Sequence, residues 1–378
     1  MTSMIPKKIG IGMLGYAFMG KTHSFAYKIM PHFFWPPPAI PELVTIFGRT
    51  ESKLKEAAEN YGFKNYTTNL KSVINSENVD IVDNSLPNNV HVEPSIEAIE
   101  AGKHVLCEKP LARNSKEAKT MRDAARKASV KTMVAFNYRF IPAAIMAREI
   151  VMSRRLGRIY HYRARFFTDR LIDPNFPLKW RLLKEVAGSG PISDLGSHSI
   201  DLARFILGEV TAVSAATKTF IHERPLLEDP TRKGRVTVED ATAAVMEFEN
   251  GALGTLEISK FVAGRKNYNS FEINGEKGSI LFDAEKLNEL IFYTTEGDVK
   301  ILLPDKNKMN VRYLWPTGFI IGFGETYISE IYHFIDTIVN NKEVAPYGAT
   351  FEDGYRNSVI VDAILESSEK GKRITIPY

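Results

Sequence analysis

The sequence predicts an α/β protein of two domains, a doubly wound parallel-sheet domain followed by an α+β domain with a large, mostly antiparallel open sheet. Three observations carry that prediction. Short apolar runs alternate with helix-like segments from residue 8 to residue 136, the rhythm of strand–helix units with parallel strands. From about residue 158, strands follow one another with only turn residues between them, the rhythm of antiparallel pairing. A glycine turn, Gly15-Tyr16-Ala17-Phe18-Met19-Gly20, joins the first strand to the first helix. The expected domains are 1–136 and 137–378.

Composition sets the bounds. The 378 residues suffice for two full cores, and the apolar share of 44% and charged share of 25% are ordinary for a soluble globular chain. A net charge of +4 is mild and dispersed, so neither nucleic acid nor a membrane surface is an expected partner. The single cysteine, Cys107, rules out an internal disulfide and fits a reducing, cytoplasmic compartment. No apolar run approaches a membrane span, and the first eight residues lead into a strand without a secretory core. No metal-ligand spacing is present, and no metal is expected.

Residues 8–14 read as a strand and Lys21–Tyr27 as helical, the context that a dinucleotide-binding turn requires. Gly15 permits the tight turn and Gly20 the close helix–strand approach. The helix N-terminus at Phe18, Met19 and Gly20 then offers amides to a pyrophosphate. Ala17 replaces the middle glycine with the smallest side chain. Phe33–Pro38 carries three consecutive prolines and reads as a stiff spacer, with Trp35 at a site rim as the other reading. Residues 43–47 form a strand ending at Gly48-Arg49-Thr50. The acidic residue usual there in NAD sites is absent, and Arg49 with Thr50 suits a 2′-phosphate, which leans to NADP.

The alternation continues with helices at 51–61 and 69–76, a strand at 79–84, the loop 86–91 and a helix at 92–101. His104-Val105-Leu106-Cys107 is a buried strand that Glu108-Lys109-Pro110 stops, because proline cannot donate to a ladder. Lys109 therefore stands at the carboxyl rim of a parallel sheet, where ligands bind and where partial desolvation makes it a candidate base. Cys107 reads as a packed thiol. A helix at 115–128 and a strand at 131–136 finish the first domain.

After Asn137–Phe140 and a helix at 142–153, strands are expected at 158–168, 210–219, 241–249 and 252–260, the last two joined through Asn250-Gly251. Four more near 269–274, 279–283, 289–294 and 298–303 precede helices at about 325–340 and 353–370. Between the first two lies Gly188-Ser189-Gly190-Pro191-Ile192-Ser193-Asp194-Leu195-Gly196-Ser197-His198. Asp194 and His198 are four apart and share a face if the helix has begun by residue 194. An aspartate beside an imidazole makes an acid/base pair, with Asp201 a second partner or a solvated charge. Together the two domains point to a nicotinamide dinucleotide, with Lys109 and His198 as candidates for taking a hydroxyl proton.

The order Gly15…Gly20, Glu108-Lys109-Pro110, Asp194…His198 and Phe351–Arg356 resembles the glucose–fructose oxidoreductase/inositol dehydrogenase (Gfo/Idh/MocA) family over essentially the whole chain. The turn followed by His23-Ser24 looks most like its levoglucosan-dehydrogenase branch. The resemblance implies an N-terminal Rossmann domain and reversible, NAD(P)-dependent oxidation of a secondary hydroxyl on a sugar, cyclitol or pyranoside. It leaves NAD as open as NADP. Carried over, Lys109, Asp194 and His198 are catalytic and line the substrate pocket. Pro87, Asn88, His91 and Glu108 belong with Gly15–Gly20, Gly48 and Arg49 on the cofactor side. Trp180, Arg181 and Arg139 join the substrate side. The family also implies a homodimer or homotetramer through the C-terminal sheet. Two rivals are a glycosidase using bound NAD for transient oxidation and a non-catalytic sensor, which would be expected to lose Lys109 or His198.

Overall fold

The computed structural model describes residues 7–303 and 321–378. The absence of a secretory core was read largely from positions 1–6, which lie outside the described residues. The chain forms two compact units, each described by itself. The first comprises the residues up to Ala112, Lys116–Phe140 and Gly322–Tyr355; the second comprises Arg113–Ser115, Ile141–Ile321 and Arg356–Tyr378.

The first unit opens with β1 (Lys8–Leu14), α1 (Phe18–Phe33), β2 (Ile40–Phe47), α2 (Glu51–Tyr61), β3 (Asn65–Thr67) and α3 (Leu70–Ile74). It continues with β4 (Ile81–Asn84), α4 (Val92–Glu100), β5 (His104–Glu108), α5 (Ser115–Lys127) and β6 (Thr132–Ala135). The six strands pair in parallel in the order β3-β2-β1-β4-β5-β6. Ile11, Met13, Ile81, Val82, Val105 and Leu106 are fully buried, as a sheet covered on both faces requires. The strand order reverses between β1 and β4, so the carboxyl ends of β1, β4 and β5 rim the ligand-binding edge of this topology. The polar, three-residue β3 has no periodicity to betray it and was not expected.

The second unit carries α6 (Pro142–Met152), β7 (Ile159–Phe167), α7 (Lys184–Ala187), α8 (Ser197–Leu207), β8 (Val210–Lys218), β9 (Glu223–Pro225) and β10 (Lys233–Arg235). Then come β11 (Ala241–Phe248), β12 (Leu253–Ser259), β13 (Tyr268–Gly275), β14 (Gly278–Asp283), β15 (Leu290–Thr294) and β16 (Val299–Leu302). The chain ends with α9 (Phe323–Val339), α10 (Phe351–Lys370) and β17 (Ile374–Thr375). Nine strands form a mixed sheet in the order β16-β15-β14-β13-β7-β12-β11-β8-β17, antiparallel except where β12 pairs parallel with β7. One face buries Tyr162, Phe166, Leu256, Ile258, Phe271 and Phe282, with α6 and α8 packed on it. Each such ring or branched chain contributes roughly 1.5–3 kcal/mol by leaving water. The opposite face leaves Val245, Leu253, Val299 and Ile301 exposed.

The helix α9 departs from the expected division. It was assigned by chain order to the second domain, yet it packs on α1 in the first unit. Its buried stripe of Tyr327, Ile328, Ile331 and Phe334 announces an amphipathic helix but not which partner it meets. Phe34 is buried and stacks on Tyr332 at 4.0 Å between ring centres, whereas Trp35 is 72% exposed. The proline segment is thus anchored at one end, through Phe34. Among the described residues no helix is long and apolar enough to cross a membrane.

Candidate active site

The strand β1 delivers the chain to Gly15 at φ +106°, a left-handed conformation that glycine adopts without strain. A Cβ on Gly20 would lie 2.2 Å from the Gly15 carbonyl oxygen, so α1 and the turn approach only because both residues are glycine. The N-cap Ala17 supplies no side-chain acceptor, and the first bond of the helix runs from Lys21 N–H to the Ala17 carbonyl at 2.9 Å. The amides of Phe18, Met19 and Gly20 therefore precede the helical ladder, as a terminus holding a pyrophosphate needs. The residues present fit a dinucleotide. At the end of β2, a Cβ on Gly48 would lie 2.2 Å from Tyr16 Cε1, so the Tyr16 ring lies against that strand end. Arg49 and Thr50 are exposed.

The carboxyl ends of β4 and β5 are tied together by buried polar groups. His91 is fully buried, with Nε2 2.7 Å from the Leu86 carbonyl and Nδ1 3.1 Å from that of Pro110. Burial pushes its pKa down more than these carbonyls push it up. The sequence reading placed His91 on the cofactor side; its ring braces the 86–91 loop against the Pro110 turn. Asn88 is buried nearby in sequence, and Asn84 Nδ2 donates to the His91 carbonyl at 3.1 Å and to Ser95 Oγ at 3.0 Å. Burial pushes the Cys107 thiol up, which makes it an inert packed group.

Glu108 is buried and Lys109 partly so. The Lys109 amide donates to Glu108 Oε2 at 3.0 Å, and Glu108 Oε1 lies 3.1 Å from His23 Nε2. On its other side His23 Nδ1 meets both oxygens of Asp83, at 2.9 and 3.0 Å. Burial alone would lower the His23 pKa, but the two carboxylates raise it well above the ordinary imidazole range. Burial likewise opposes ionisation of Glu108, and His23 outweighs it and holds the carboxyl below its usual value. Neither His23 nor Asp83 was singled out as a site residue, because no motif links positions 60 apart.

In the second unit the Gly188–Pro191 loop is anchored by Glu239, whose carboxylate accepts the Gly190 N–H at 2.9 Å and the Ile192 N–H at 3.0 Å. Burial pushes that carboxyl up despite the two bonds. Ile192–Gly196 is a turn of π-helix that leads into α8. Asp194 thus sits in a wide turn rather than in the first turn of an α-helix. Its charge partners are Lys260 Nζ at 2.6 Å and Arg181 Nε at 3.8 Å. Lys260, at the end of β12, is a residue the sequence reading missed. Arg181 in turn lies over the Trp180 ring, 4.2 Å from its centre. His198 is buried with its ring centre 6.3 Å from that of Phe166.

Two expectations need correction. Arg139, expected on the substrate side, is 3% exposed; it donates to the carbonyls of Pro346 and Gly348 and lies 3.3 Å from Asp353. Held by these groups, it braces the first unit. Asp201 is neither solvated nor on the surface but buried near Tyr162, whose phenol pKa is raised by burial and then by the Asp201 charge.

Known proteins bear on this arrangement directly. Residues 9–136 match the oxidoreductase family with an NAD-binding Rossmann fold, and residues 145–281 match the GFO/IDH/MocA C-terminal domain. The levoglucosan dehydrogenase of Pseudarthrobacter phenanthrenivorans is 40% identical over 98% of this chain and 99% of its own length. The chain belongs to the GFO/IDH/MocA oxidoreductase family. A solved levoglucosan dehydrogenase in complex with NADH and levoglucosan superposes with a TM-score of 0.93 at 39% identity, covering 98% of this chain and all of that one. More distantly, the D-glucoside 3-dehydrogenase of Escherichia coli is 28% identical over 89% of this chain and 90% of its own. As a GFO/IDH/MocA protein it carries an NAD-binding Rossmann domain and a large mixed sheet.

Proposed function

We propose that this protein is an NAD(H)-dependent dehydrogenase that oxidises a secondary hydroxyl of levoglucosan or a closely related anhydrosugar or pyranoside. The observation that carries the reading is Lys109, partly buried at the carboxyl end of β5 with its backbone capped by Glu108. Bound NAD supplies the hydride acceptor. Lys109 takes the hydroxyl proton, while Asp194 and His198 of the second unit bind and orient the sugar. Lys260 holds the Asp194 carboxylate in place at 2.6 Å as a hydroxyl acceptor, and Trp180 with Arg181 contributes an apolar ring beside a cation for a sugar face. The 40% identity to a levoglucosan dehydrogenase over nearly the full chain supports the substrate class.

The NADH of the solved relatives supports NAD over NADP, with Arg49 as the residue that argues the other way. The open face of the nine-stranded sheet, with Val245, Leu253, Val299 and Ile301 exposed, supports a homo-oligomer built there. Light scattering after gel filtration tests that assembly. A panel of sugars and cyclitols with NAD and NADP, read by reduced-nicotinamide absorbance, tests the reaction. Levoglucosan with NAD is expected to give the highest kcat/KM. Flat absorbance with sugar release would identify a transient-oxidation glycosidase instead. Lys109→Ala is expected to lose about 10²–10⁴-fold in kcat and keep NADH binding; retention of most kcat overturns the assignment.

A further inference from the structure

The buried cluster at the ends of β4 and β5 goes unused by the proposed chemistry. His23 is wholly inaccessible, as is Asp83, and Glu108 is nearly so. Two carboxylates on neighbouring strands would repel in such a site, and a buried charge without a partner is strongly unfavourable. His23 reaches from α1 to meet both, at 2.9 Å and 3.1 Å. The free oxygen of Glu108 then meets the Lys109 amide at 3.0 Å. The line Asp83, His23, Glu108, Lys109 is hydrogen-bonded at its two ends and joined in the middle by the charge contact of His23 Nε2 with Glu108 Oε1, a pair not aligned as a hydrogen bond.

We propose that His23 is a positioning residue for Lys109, holding Glu108 between itself and the Lys109 amide so that the lysine is presented at a fixed point of the strand end. The proposal rests on Lys109 being the proton acceptor. The neighbours of the ring agree with a cation at its centre. Tyr27 follows one turn later on α1, and burial and Asp83 raise its phenol, so it stays neutral. From α9, Tyr327 packs with its ring centre 5.7 Å from that of His23 and is raised by burial and by Glu108; Glu330 acts on both tyrosines. Lys109 adds attraction to Glu108 from its own side, where His91, its pKa pushed down by burial, faces it without adding a cation at neutral pH. One imidazolium against Asp83 and Glu108 leaves a single net negative charge among the three groups.

The test is His23→Gln, which keeps a hydrogen-bonding side chain and removes the cation. An uncompensated negative charge beside Lys109 then favours its ammonium form. At neutral pH kcat with levoglucosan and NAD is expected to fall about 10–100-fold, and the acid limb of the pH profile to move alkaline by about one unit. NADH affinity, read by fluorescence, is expected to stay within about threefold of wild type, since the pyrophosphate turn is untouched. The double variant His23→Gln/Asp83→Asn removes one carboxylate as well and is expected to return the acid limb towards wild type. A His23→Gln enzyme with unaltered kcat and acid limb overturns the proposal. Where that variant does not fold, ¹⁵N-histidine NMR of the wild-type protein with NADH decides: one imidazolium signal persisting to pH 9 is expected, and its absence overturns the proposal. Lys109→Ala separates the two claims. If it retains kcat, the Lys109 assignment falls and this proposal with it. If it is inactive while His23→Gln is unaltered, only this proposal falls.

Discussion

Two charge clusters in this protein are near mirror images. At the ends of β4 and β5, two carboxylates, Asp83 and Glu108, share one cation, His23, and all three are buried. In the second unit one carboxylate, Asp194, shares two cations, Lys260 and Arg181. There the Asp194 side chain is 25% and that of Arg181 52% exposed. The difference teaches what each is for. A sealed cluster in low dielectric is stiff and fixes what it touches, here the Glu108–Lys109 step. An open cluster holds a carboxylate in place yet reachable, which suits a group that must meet a hydroxyl.

The contrast predicts an ordered series of stability losses, read by urea unfolding. Asp83→Ala breaks a buried ion pair and is expected to cost about 3–5 kcal/mol. Lys260→Ala removes one charged partner from a carboxylate that water can still reach, and about 1–2 kcal/mol is expected. Arg181→Ala, on the exposed side, is expected to change stability by less than about 0.5 kcal/mol. Equal losses for Asp83→Ala and Arg181→Ala would erase the distinction between the clusters. Kinetics should run the other way, with Lys260→Ala and Arg181→Ala acting mainly on the KM for sugar. The last effect is a pH slope, confined to the alkaline side. The raised His23 pKa gives stability that is complete below the unfolded value near 6.5 and is lost as pH rises through the folded one. Wild type should therefore lose stability on the alkaline side along a slope that His23→Gln lacks.

Much of the candidate site was legible in the chain because its proposed residues fall in short motifs. Gly15…Gly20 is a turn whose residue types answer to backbone geometry within six positions, and its left-handed Gly15 and the 2.2 Å approach at Gly20 are what such a turn requires. Lys109 was recognisable from an apolar strand ended by proline. The Asp194–His198 spacing was visible too, but not the π-helical turn that carries Asp194 or the Lys260 that meets its carboxylate. Arg139 looked like a ligand and proved to be a brace, because a charged side chain in sequence carries no mark of burial.

By itself, then, the sequence determined the alternation of strands and helices, the nucleotide turn, the strand-end lysine and the family. These depend on residues within a few positions of one another, where periodicity, glycine and proline act directly. Tertiary structure alone decided that α9 joins the first unit and that His23 lies between Asp83 and Glu108. It alone decided that Lys260, 66 residues downstream, holds Asp194. Such pairings are set by strand order and helix packing, and the distance along the chain between partners contains no trace of them.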